Sequence, residues 1–262
     1  MRMMTVFACG LAATAQAQEW AKAKLEASPR HGEWVKLKVG NREVKSFVVF
    51  PEVKGKATAV VVIHEIFGLT DWVRLTGDEL AAAGYIAICP DLLSGAGPGG
   101  GDTDSFKGDD VRKAIMNLKP DQVTADLNAA YDHVAALDSC NGKIAVAGFC
   151  WGGGQAFRYA TNNAKLKAAF PFYGSAPTDP AALARIACPV HGFYAENDNR
   201  INAGIPKAEE LMKAAGKTYE PVKYAGAGHG FLRAGAAPDA QAANKQGRED
   251  AWKRWKTLLA KL

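Results

Sequence analysis

The feature that most limits how this chain can fold is a series of short apolar runs separated by helix-like segments. ATAVVVIH at 57–64 is followed by YIAICP at 85–90, KIAVAGF at 143–149, LKAAFPFY at 166–173 and PVHGFYA at 189–195. A strand with one wet face alternates apolar and polar residues, so an unbroken run of this length marks a strand covered on both faces. Amphipathic stretches at 72–83, 121–137, 151–162, 205–215 and 244–260 supply the covering helices. The alternation predicts an α/β chain with a mainly parallel central sheet flanked by helices. WVKLKV and EVKSFVVF, alternating around Gly40-Asn41, read as an antiparallel edge hairpin. The segment 92–118 reads as the main loop, mobile over the site. Its G-x-G-x-x-G at Gly95, Gly97 and Gly100 is interrupted by Pro98 and followed by no prompt helix. A dinucleotide cofactor is therefore not expected.

With 262 residues, 48% of them apolar and 23% charged, and with no repeats, the chain suits one large globular domain. The formal charge of +5 is spread among acids, which argues against nucleic acid or a membrane as partner. MRMMTVFACGLAATAQA has a basic start, an apolar run and Ala15-Gln16-Ala17 before Gln18, the pattern of an export signal. The reading is a signal at 1–17, a single domain at 18–262, and a periplasmic or secreted protein, with a cytoplasmic one as the alternative. Cleavage would remove Arg2 and Cys9. No later stretch reaches the about 18 uninterrupted apolar residues that span a bilayer. Cys89 and Cys188 adjoin strand runs, so a disulfide framework is not evident. Cys140 with Cys188 is the one pair to consider, and reduced thiols are preferred.

Open α/β sheets carry their chemistry beyond the carboxyl ends of the strands. Four such ends hold reactive side chains: Glu65 after ATAVVVIH, Cys150 after KIAVAGF, Asp198 after PVHGFYA and His229 after YEPVKYA. The stretch GFCWGG around Cys150 has the form of the G-x-S-x-G nucleophile elbow, with cysteine in place of serine. A free thiol has a pKa of about 8.5, so a neighbouring imidazole and a helix N-terminus are needed to raise its thiolate fraction. The chain order Cys150, Asp198, His229 is the nucleophile–acid–base order of that superfamily, with Asp198 orienting the imidazole. Glu196, two residues earlier, is the alternative acid. His64-Glu65 begins like H-E-x-x-H, but position 68 is glycine. His31, His133 and His191 are not grouped at ligand spacing, so no metal is expected.

From about residue 30 onward the chain resembles the dienelactone hydrolase family. The resemblance rests on HEIFGL at 64–69, CPDLL at 89–93, GFCWGG at 148–153, the acid in AENDN and AGHGFLR at 227–233. It implies an α/β-hydrolase fold that needs no cofactor and opens a carboxylate-bearing enol-lactone to maleylacetate. It further implies Cys150 as nucleophile, His229 as base, Asp198 as its acid and Glu65 as a carboxylate acting on the resting thiol. The backbone N–H groups of Ile66 and Trp151 would form the oxyanion hole. Arg233 matches one substrate-carboxylate arginine, and Arg112 is the candidate for a second. A general short-chain esterase and a non-catalytic ligand-binding module on the same fold are the alternatives.

Overall fold

The computed structural model describes residues 18–262; the export-signal reading of 1–17 lies outside them. Strands β1 (Gly32–Val39) and β2 (Arg42–Val49) form the hairpin, followed by β3 (Ala57–Ile63), β4 (Ile86–Pro90), β5 (Cys140–Phe149), β6 (Ala169–Phe172), β7 (Val190–Asn197) and β8 (Tyr219–Gly228). They make one eight-stranded sheet in the order β1-β2-β4-β3-β5-β6-β7-β8. β2 is antiparallel to both neighbours and every other adjacent pair is parallel, so β2 alone runs against the rest.

The unbroken apolar runs are explained by two cores, one on each face. Side chains alternate across a strand. Val60, Val62, Ala145, Ala147 and Phe149 thus join α2 (Asp71–Ala82) and α10 (Ala242–Leu259) on one face. Ala59, Val61, Ile63, Ile144 and Val146 join α4 (Pro120–Ala135), α5 (Trp151–Ala160) and α8 (Ile205–Ala214) on the other. Each fully buried aliphatic or aromatic side chain contributes about 1.5–3 kcal/mol by leaving water. Trp255 packs edge-on against Phe172 at 4.9 Å, and it and Trp252 are both buried, the packing role their positions suggest.

The segment 92–118 differs from the expected mobile loop. It contains α3 (Asp110–Asn117), whose one buried residue, Ile115, leaves too faint an apolar stripe to read. The rest is tied down: Asp91 accepts hydrogen bonds from Thr103 N at 2.9 Å and Thr103 Oγ1 at 2.7 Å, and Lys45 Nζ reaches Asp102 at 2.8 Å. Helix α1 (Glu19–Glu26), which lays Ala21 against the core, has no counterpart in the sequence reading. Nor do the short helices α6 (Pro180–Ala184), α7 (Asn199–Asn202) and α9 (Phe231–Ala234). Cys89, Cys140, Cys150 and Cys188 are free thiols, so Cys140 and Cys188 are not paired. Among the described residues no helix is long and apolar enough to cross a membrane.

Candidate active site

Cys150 stands between the end of β5 and the start of α5 with φ 56° and ψ −115°, a conformation that costs a non-glycine residue on the order of 1–3 kcal/mol. Its neighbours hold it there. Its N–H donates to Phe172 O at 3.0 Å and its carbonyl accepts from Gly154 N at 3.2 Å. A Cβ on Gly148 would lie 2.0 Å from Gly152 O, and one on Gly152 would lie 2.3 Å from His64 O. Strand, elbow and helix approach so closely that only glycine fits at both positions.

Burial pushes the Cys150 thiol up to about 11, and the Glu65 charge pushes in the same direction. Hydrogen bonds from the N–H groups of Trp151 and Ile66, and the positive charge of Arg200, pull it back. Desolvation and a like charge outweigh donors and a cation, so at neutral pH the resting sulfur is a thiol. The same two N–H groups are the expected oxyanion donors, one at the helix start and one on the loop after β3.

Asp198 and His229 follow β7 and β8, and the structure joins them. Asp198 Oδ2 accepts from His229 Nδ1 at 2.5 Å while its Oδ1 accepts from Ile201 N at 3.3 Å, capping α7. Glu196, the alternative acid, is exposed and accepts from Gly226 N at 2.8 Å. With Nδ1–H donated to Asp198, the other ring nitrogen of His229 is left as the basic one. The imidazole is partly exposed.

Glu65 is 2% exposed, and its charge is met by Arg233, whose Nε donates to Oε2 at 2.7 Å. Phe67 is approached by both arginines: the Arg233 guanidinium is 5.4 Å from its ring centroid and that of Arg112 is 4.9 Å. Arg112, on α3, thereby reaches the same ring as Arg233, on α9.

Four further residues at the site were given no role there by the sequence reading. His64, fully buried, has its pKa lowered by desolvation; its Nδ1 bonds Glu65 O at 2.8 Å and its Nε2 accepts from Leu92 N at 3.3 Å. Its ring stacks on Trp151 at 5.6 Å, which turns that large indole onto the histidine and the core beside α5. Phe67, Arg200 and Tyr173 are the others. All four lie at or just past the carboxyl ends of β3, β6 and β7, and the strand-end rule applied to every side chain, not only to known triad types, would have found them.

The sequence from 44 to 262 matches the dienelactone hydrolase family. The chain belongs to that family. An Escherichia coli protein named "Putative carboxymethylenebutenolidase" is 34% identical over 218 residues, covering 76% of this chain and 75% of its own. The carboxymethylenebutenolidase of a Pseudomonas species is 28% identical over 189 residues, covering 69% and 76%. In fold, the chain is similar to the crystal structure of a Klebsiella pneumoniae protein described as "Putative Dienelactone Hydrolase", with a TM-score of 0.77, 24% identity, and 89% and 99% of the two chains covered. This dienelactone hydrolase family member is a carboxylic ester hydrolase with the α/β-hydrolase fold.

Proposed function

We propose that the protein is a cysteine-nucleophile hydrolase of small lactones and esters, with a carboxylate-bearing enol-lactone of the dienelactone type as preferred substrate, opened to maleylacetate. The observation that carries this reading is the Cys150 thiol at a positive-φ elbow, receiving the N–H groups of Ile66 and Trp151. A carboxylate on the substrate competes with Glu65 for Arg233 and is oriented by a charge-assisted pair, with Arg112 at the same Phe67 ring as Arg233. Once Glu65 gives way, the thiol loses the like charge that kept it protonated, and its proton passes to His229. The thiolate attacks the acyl carbon, and the oxyanion is held by the two N–H groups. Collapse breaks the ring C–O bond, the enol oxygen takes the proton from His229, and a thioester to Cys150 remains. Water, deprotonated by His229, then attacks the thioester; the acid leaves and the thiol is restored. Asp198 stabilises the imidazolium in both steps.

The test is a substrate panel on the purified protein: a carboxylate lactone, its methyl ester and aryl esters, with Cys150→Ala as control. Cys150→Ala is expected to abolish turnover while the fold persists; a loss of less than about tenfold, roughly 1.4 kcal/mol of barrier, is too small for a covalent catalyst and rejects the nucleophile. Arg233→Ala is expected to raise KM chiefly for the acid. Equal hydrolysis of acid and ester, with Arg233→Ala acting alike on both, would make the protein a general esterase instead.

A further inference from the structure

Tyr173 follows β6 at the same end of the sheet as Cys150, and it is unusual in three independent respects. Its side chain is fully buried, yet its hydroxyl has no hydrogen-bond partner. Its φ is +39°, one of two positive values among the described non-glycine residues, the other being Cys150. Its ring packs edge-on against His229 at 5.2 Å and Phe231 at 5.5 Å. The strained backbone is imposed by close packing: its N–H donates to Phe193 O at 2.7 Å, and a Cβ on the next residue, Gly174, would lie 2.2 Å from the Gly153 carbonyl carbon of α5.

A buried hydroxyl without a partner costs on the order of 1–3 kcal/mol, and phenylalanine would fill the same space without that cost. A tyrosine kept at this place points to a partner for the hydroxyl in another state of the site. Its ring packs on His229, and beside that histidine a Cβ on Gly230 would lie 3.5 Å from Arg233 Nη2 and 3.9 Å from Glu65 Oε1, so the tyrosine stands next to this ion pair, whose charges act on its hydroxyl. Of the buried polar atoms without a partner among the described residues, it is the one in this cluster. Desolvation, first, and the Glu65 charge, second, hold its pKa well above the ordinary range, so the oxygen keeps its proton and remains a donor. Glu65 is the group that will need a donor. When a substrate carboxylate takes Arg233, an almost fully buried carboxylate loses its counter-charge, which is strongly unfavourable unless another donor replaces it.

We propose that Tyr173 is a positioning residue whose hydroxyl receives the Glu65 carboxylate when substrate engages Arg233. The site then has two settings for one carboxylate: on Arg233 at rest, near the thiol, and on Tyr173 in the substrate complex. The preference for anionic substrates comes in part from this second setting, because an uncharged ester leaves Glu65 where it is. The proposal rests on the hydrolytic reading given above, but its main test needs no turnover.

That test is a double-mutant cycle in thermal stability. Tyr173→Phe removes one oxygen and retains the ring, and in the otherwise native protein it is expected to leave Tm unchanged or raise it. Arg233→Ala frees Glu65 permanently, and in that background Tyr173→Phe is expected to lower Tm by about 3 °C or more, the loss of one charge-assisted hydrogen bond. Should Arg233→Ala not fold, Arg233→Met, which fills more of the vacated space, serves as the second background. Equal shifts in both backgrounds overturn the proposal. The kinetic counterpart is the ratio of kcat for the carboxylate lactone to kcat for its methyl ester. Tyr173→Phe is expected to lower that ratio about tenfold with KM for the acid little changed, and an unchanged ratio also overturns it. Retained turnover in Cys150→Ala, by contrast, rejects the cysteine mechanism and leaves the stability cycle standing.

Discussion

Arg233 Nε lies 2.7 Å from Glu65 Oε2, and the carboxylate it holds is the same one that raises the Cys150 thiol. The ion pair thus compensates a buried charge without hiding it from the sulfur. Such an arrangement keeps the Cys150 sulfur as a thiol, the form that resists alkylation and oxidation.

Replacement of Glu65 by glutamine tests this directly. The negative charge raises the thiol pKa, so its removal lowers that pKa and increases the thiolate fraction at any pH below it. Arg233, left unpaired, acts in the same direction. The alkylation rate of native Cys150 is expected to keep climbing with pH beyond 8.5, toward its value of about 11. In Glu65→Gln the whole profile moves to lower pH, and each unit of displacement makes alkylation about tenfold faster at pH 8. Peroxide inactivation follows the same order. Superimposable profiles would remove Glu65 from control of the thiol.

The proposal of Asp198 rather than Glu196 as the acid rests on where each carboxylate points, and one substitution at each tests it. Asp198→Asn leaves the α7 cap an acceptor but takes the counter-charge from His229, and a loss in kcat on the order of 10³-fold or more is expected. Glu196→Gln retains an oxygen for Gly226 N and is expected to stay within about threefold of the native rate. Rates for both variants on one activated ester are sufficient, and the reverse order of effects would transfer the acid's role to Glu196.

How much of this was legible in the sequence depended on how local the determinants are. The strands were legible because burial on both faces writes an unbroken apolar run, and the elbow because its close approaches demand glycine on both sides of Cys150. The acid was read as Asp198 with Glu196 as the alternative, since both lie on one strand end, and the bond from Asp198 to a side chain 31 positions away, which supports the first, is not written in the local sequence. α3 was missed because a helix with one buried residue has no stripe. Phe67, approached by arginines from α3 and α9, and Tyr173, whose buried hydroxyl has no partner and whose ring packs on His229, are defined by contacts between distant segments. Their strand-end positions put both near the site, and only those distant contacts show what each does there.

The elbow makes the most local prediction. A Cβ on Gly152 would stand 2.3 Å from His64 O and 2.5 Å from Ile63 O, both backbone atoms that cannot rotate away. Gly152→Ala must therefore push α5 from the end of β3, and overpacking of this kind costs about 1–3 kcal/mol. The His64 carbonyl is followed at once by Glu65 and Ile66, so the same displacement draws the Ile66 N–H away from the Cys150 sulfur. Tm is expected to fall by several degrees and kcat by about 10²-fold, the penalty for misplacing reacting groups by about 1 Å. Gly154 is the control, since it lies in the same helix and a Cβ there would meet nothing nearer than Ser175 O at 3.4 Å. Gly154→Ala is expected to hold or raise Tm, because alanine in a helix interior is favoured over glycine by about 0.5–1 kcal/mol. If Gly152→Ala kept both the native Tm and the native kcat, the close packing of α5 on β3 would not be what sets Cys150 and the N–H groups of Ile66 and Trp151 in place.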